Sequence, residues 1–134
     1  MASLWSLPMN LLPPRRKTPR YGTAPRRVFQ VHRAWVRKHA CSIKGCKGSP
    51  IEFAHLRTSA NSGVGLKPPD SCGISLCRGH HLRAHARGHV TVAEENGMTL
   101  DDLFLIAEEF ARRTPDRALR EAMRAAAADS TGGA

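Results

Sequence analysis

Leu76-Cys77-Arg78-Gly79-His80-His81-Leu82-Arg83-Ala84-His85 is the stretch on which the reading of this 134-residue chain turns. A cysteine is followed at the third residue by a histidine, and at once by a His-x-x-x-His pair. If the run after Gly79 is helical, His81 and His85 lie one turn apart on one face. That spacing lets two imidazoles hold a single cation. His80 projects about 100° away from them, so it is directed back towards Cys77 and a different centre. The stretch reads as two adjacent metal positions, one structural and one reactive.

The structural position needs partners for Cys77 and His80, and the chain has four cysteines. Two disulfides would leave the histidines unexplained and require an oxidising compartment. A zinc site of Cys41, Cys46, Cys72 and Cys77 fails on geometry. If residues 72–77 are extended, five steps of about 3.3 Å part Cys72 from Cys77 by roughly 16 Å, whereas ligands of one zinc each lie about 2.3 Å from it. The set Cys41, Cys46, Cys77 and His80 is therefore expected to hold a structural zinc. Gly45 and Gly48 are available for the turn between and after the first two ligands. Cys72 is left as a small buried residue or a substitute for a polar one.

Residues 51–56, Ile-Glu-Phe-Ala-His-Leu, alternate as a strand with His55 near its end. Gly73-Ile74-Ser75-Leu76-Cys77 reads as a second strand. Between them lies a loop rich in Gly, Ser, Asn and Pro, with Arg57 and Lys67 as its cations. Gly88 is the expected stop of the histidine helix. Upstream, residues 28–39 read as a helix with Trp35 as a core anchor, and His32 and His39 as surface or helix-end histidines. Downstream, His89-Val90-Thr91-Val92 reads as strand-like. Thr99 then caps a helix with the stripe Leu100, Leu103, Phe104, Ala107 and Phe110. Thr114-Pro115-Asp116 caps another, with proline at the first helical position.

Charge divides the chain. Residues 1–27 carry six Lys/Arg and no acid, residues 28–90 carry ten against Glu52 and Asp70, and residues 91–134 carry nine acids against five arginines. A basic front with an acidic tail suggests a polyanionic partner at the basic part. Residues 1–27, broken by Pro8, Pro13, Pro14, Pro19 and Pro25, read as an extended arm that either tracks phosphates or serves as a plain leader. No apolar run approaches bilayer length, and the start lacks a charged leader and a continuous hydrophobic segment. The expectation is a cytoplasmic protein with no membrane partner. With so few aromatic residues the core is small, which makes a metal staple useful.

These pieces carry a resemblance. A strand ending in His55, a loop, a second strand and a helix with His81 and His85 resemble the ββα-metal core of HNH endonucleases, over roughly residues 30–90. The branch most similar is the phage and prophage one that includes the recombination-enhancement nuclease. Its likeness lies in Ala54-His55-Leu56-Arg57, Gly65-Leu66-Lys67-Pro68-Pro69-Asp70, and Leu76-Cys77-Arg78-Gly79-His80-His81 through His85 and Gly88. The resemblance implies an α+β fold: an HNH-like domain over 28–92, preceded by the arm and followed by a helical segment over 93–134. It implies a DNA endonuclease with His55 as general base and Mg²⁺ or another divalent ion on His81 and His85. Arg57, Lys67, Arg78 and Arg83 are then the candidates for backbone phosphates. Many such sites place Asp or His just before the base, where it also binds the metal; here that position is Ala54. Asp70 is the candidate either to supply the missing ligand or to tether the loop in place of the usual central Asn. A zinc-binding DNA-binding module without catalysis is the alternative.

Overall fold

Strand β1, Ile51–His55, and strand β2, Gly73–Cys77, pair antiparallel, with Ile51 opposite Cys77 and His55 opposite Gly73. The structure, a computed structural model, describes residues 27–57 and 68–132. Both strands have the β-branched and alternating composition expected, but β2 is buried on both faces. This register puts the two chemically active ends of the hairpin at opposite edges. His55 sits where the loop leaves, and Cys77 where the next helix begins.

Helix α1 spans Gln30–Val36, and α2 spans Arg78–Arg87 directly after β2. Helix α3 spans His89–Glu95, α4 Leu100–Arg113 and α5 Arg117–Gly132. A short 3-10 turn, Asp70–Cys72, leads into β2. The described residues thus form an α+β unit of five helices around a two-stranded antiparallel sheet.

Helix α2 begins at Cys77, whose sulfur accepts the His80 N–H, and ends at Gly88, where φ is +89°. A left-handed φ is nearly free for glycine and strained for other residues. The next segment departs from the expected strand. His89, Val92, Ala93 and Asn96 recur at helical spacing, Val92 and Ala93 are buried, and the Asn96 side chain donates to Val92 O at 2.7 Å. A four-residue His-Val-Thr-Val pattern carries only a weak β preference, and packing decides it.

The core joins Ile43, Ala54, Leu56, Ile74 and Leu76 to Ala84 of α2, Val92 and Ala93 of α3, and Leu103 and Ala107 of α4. Thr99 and Asp102 close a reciprocal capping box at the start of α4. The cap of α5 is Asp116, whose Oδ1 accepts the Leu119 N–H at 3.2 Å. Thr114 instead turns inward to His32, with Oγ1 2.7 Å from Nδ1. His32 is fully buried rather than at the surface, and burial pushes its imidazole below the ordinary value. Trp35 is half-buried and meets Phe110 edge-on at 5.7 Å, which ties α1 to α4. The boundary read at residue 92 therefore falls inside α3, and the helix beyond it shares the same core. The arm over 1–27 lies outside the described residues, except Arg27.

Candidate functional site

Two centres lie at either side of α2. The first gathers Cys41, Cys46, Cys77 and His80, whose ligand atoms all lie within 4.8 Å of one another. Among the described residues no other group of three or more ligating side chains is so compact. His80 Nδ1 is 3.6, 3.4 and 3.2 Å from the sulfurs of Cys41, Cys46 and Cys77. The Cys46 and Cys77 sulfurs are 3.9 Å apart. Donors placed tetrahedrally about 2.3 Å (sulfur) or 2.0 Å (nitrogen) from zinc are separated by about 3.5–3.8 Å. The quartet fits a zinc ion, and a 3.9 Å sulfur separation is no disulfide.

Local structure builds this centre. Ser42 N donates to Ser75 O at 2.7 Å, and Ser75 Oγ donates to Ala40 O at 2.7 Å, so the Cys41 segment is fastened to β2. Gly45, with φ +75°, turns the chain between Cys41 and Cys46. A Cβ on Gly48 would lie 3.0 Å from the Cys77 sulfur, so backbone and ligand approach closely there. Burial pushes the Cys41 thiol up to about 11, whereas the Gly48 N–H pulls Cys46 down. A bound cation would displace the protons of these thiols. Cys72 takes no part; it is half-buried, and burial raises its thiol above the ordinary value.

The second centre is a cleft of about 640 Å³ between the end of β1, α2 and the start of α3. Among the described residues, its ionisable lining comprises His55, Arg57, His81, His85, Arg87 and His89, with no carboxylate. Two carboxylates stand behind it, each holding one imidazole. Asp70, fully buried, accepts from His55 Nε2 at 2.9 Å. Glu52, on β1, accepts from His81 Nδ1 at 2.9 Å. The consequences differ by nitrogen. His55 is left with Nδ1 as its second nitrogen, and His81 with Nε2.

His81 Nε2 lies 3.2 Å from His85 Nε2. Two nitrogens about 2.1 Å from one cation stand about 3.0–3.4 Å apart, so this pair has the spacing that two ligands of one cation would need. The Glu52 bond to His81 is the outer-shell support that ligating histidines usually have. His81 in turn lowers the Glu52 carboxyl. His89 Nε2 is buried in the same region without a hydrogen-bond partner among the described residues. Burial, then the charges of His81 and His85, pushes its imidazole below the ordinary value.

Asp70 sits between the two roles read for it. Its oxygens accept Phe29 N–H at 2.8 Å, Arg33 Nε at 2.8 Å, Arg33 Nη2 at 2.7 Å and His55 Nε2. All its lone pairs are engaged, so it tethers His55 and is not a metal ligand in this arrangement. Ala54 is buried in the core at 1 % exposure and is not among the residues that line the cleft.

The cations read as phosphate contacts separate. Arg57 is exposed at the cleft and forms no ion pair among the described residues. Arg78 pairs loosely with Glu52 at 3.4 Å, and Arg83 pairs with Glu95 at 2.6 Å on the outer side of α2. Lys67 lies outside the described residues. The pattern of the sequence missed Arg33, Glu52 and His89. Only Glu52 had a signal: it is the sole acid between residues 28 and 69, and it stands on the strand that ends in His55.

Compared with known proteins, the chain matches no family model, no curated protein and no solved structure. Among the described residues, no helix is long and apolar enough to cross a membrane.

Proposed function

We propose that the protein is a metal-dependent DNA endonuclease of the HNH type, hydrolysing phosphodiester bonds. The observation that carries this reading is the cleft. One imidazole held by a buried carboxylate shares it with two imidazole nitrogens 3.2 Å apart, and every ionisable lining group among the described residues is an arginine or a histidine. Such a lining suits a polyanion. The order β1, β2, α2, with His55 ending the first strand and His81 and His85 on the helix, supports a ββα-metal core.

A phosphodiester resists attack because its negative charge repels nucleophiles and its leaving alkoxide is poor. A divalent ion on His81 and His85 would supply charge stabilisation to the pentacoordinate state and the leaving oxygen. His55, with Nε2–H given to Asp70, offers Nδ1 to take a proton from water. Glu52 keeps His81 in the tautomer that presents Nε2. Arg57 and Arg87, which line the cleft, are the candidates to hold phosphate oxygens. Two imidazoles favour a transition ion over Mg²⁺, which prefers oxygen ligands.

One observation favours the second reading, a zinc-binding DNA-binding module without catalysis. With Ala54 in the core and Asp70 fully engaged, two histidines are the ligands assembled for the second ion. Supercoiled plasmid and single-stranded DNA, incubated with Mg²⁺, Mn²⁺ or Ni²⁺, separate the two. Cutting is expected with at least one ion, and His55→Ala should slow it by about 10²-fold or more while DNA affinity holds. Binding without cutting under every ion would favour the module.

A further inference from the structure

The base of the proposed nuclease is held from behind by α1, an element outside the β1–β2–α2 unit. Arg33 lies 37 residues before Asp70 and grips it with two parallel bonds, Nε to Oδ2 at 2.8 Å and Nη2 to Oδ1 at 2.7 Å. A forked guanidinium fixes the plane of a carboxylate as a single ammonium cannot. The same guanidinium lies 5.3 Å over the Phe53 ring, and Phe53 meets the His55 ring edge-on at 5.0 Å. Arg33 therefore touches both supports of the imidazole, the carboxylate at Nε2 and the phenyl ring at its side. It does not line the cleft.

We propose that Arg33 is a positioning residue for His55: by fixing Asp70 and Phe53 it keeps the imidazole proton on Nε2 and leaves Nδ1 as the acceptor at the cleft. The catalytic meaning of Nδ1 rests on the nuclease reading, whereas the ring geometry does not. Without the guanidinium, buried Asp70 keeps only the His55 and Phe29 donors. A carboxyl so placed takes up a proton from solvent. The protonated Asp70 then donates to Nε2, the imidazole proton resides on Nδ1, and the acceptor facing the cleft is gone.

The test compares the zinc-loaded full chain with Arg33→Gln and Arg33→Lys, using imidazole ¹H and ¹⁵N spectra beside the cleavage rate. The wild type should carry a slowly exchanging His55 Nε2–H and an unprotonated Nδ1. In Arg33→Gln the protected proton should disappear and the Nδ1–H form should be populated, with zinc and DNA affinity retained and cleavage down by about 10-fold or more. Arg33→Lys keeps the charge without the fork, so the tautomer and most of the cleavage should return while Nε2–H exchanges faster. Wild-type His55 signals in Arg33→Gln, or a proton on Nδ1 in the wild type, would overturn the proposal. Should Arg33→Gln not fold, Arg33→Lys decides, because unchanged Nε2–H protection there would overturn it equally. A wild type with the expected spectrum that cuts no DNA would sink the nuclease reading alone.

Discussion

Asp70 has a charge whose worth depends on its neighbours. Burial pushes its carboxyl up, but the bonds from His55, Arg33 and Phe29 outweigh burial and hold it well below the ordinary carboxylate range. A group whose folded value is depressed adds stability that is present above its unfolded value and lost as pH falls towards the folded one. Urea midpoints should therefore drop as pH falls below about 4. In Asp70→Asn that acid drop should be shallower, from a baseline lower by about 3–5 kcal/mol, because Arg33 is left without its counter-charge. At this scale the sequence was legible where chemistry is local. Cys77 and His80 are three apart, and His81 and His85 four apart. It was silent on Arg33 and marked Glu52 only as an isolated acid, because their partners stand 37 and 29 residues away.

The β1–β2 hairpin with α2 places both centres, and small residues set its tolerances. A Cβ on Gly73 would lie 1.9 Å from Phe53 Cζ, deep inside contact distance. Gly73→Ala is expected to cost about 1–3 kcal/mol and, by moving Phe53, to disturb His55 as well. Thermal unfolding beside the imidazole spectrum of His55 checks both parts. The quartet that could hold zinc joins the residues before β1 to the end of β2 and the first turn of α2. Removing zinc with a strong chelator should therefore loosen all three, read as loss of helical circular dichroism and a lowered Tm, and re-addition should restore them. The hairpin and α2 were readable from alternation, the cysteine and the glycine stop. The helix α3 was not, since four residues fit either period and the deciding contacts, Val92 and Ala93 in the core, are tertiary.

For the molecule as a whole, the acidic C-terminal third is part of the fold rather than an appendage. Leu103 and Ala107 of α4 are buried in the common core, and Asp116 accepts the His32 N–H at 3.1 Å. A chain ending at Met98 should fail to fold, having lost Leu103, whose burial alone is worth about 1.5–3 kcal/mol. A chain ending at Met123 should fold, because Asp116 and Leu119 remain in place. Circular dichroism and zinc retention distinguish the two truncations. The charge of +10 is concentrated towards the front of the chain, and the histidine and arginine lining of the cleft follows the same sign.

The Cys41, Cys46, Cys77 and His80 quartet, the strands Ile51–His55 and Gly73–Cys77 and the histidine helix were determined by the sequence itself. Each rests on residue type and spacing within a few positions, which the period of a strand or helix converts directly into a face. The tertiary structure alone decided that Asp70 holds His55, that Glu52 holds His81, and that Arg33 grips Asp70. Those pairings join segments far apart in the chain. Their partners are chosen by how the core brings α1, the 3-10 turn and the sheet together, and no local period records that choice.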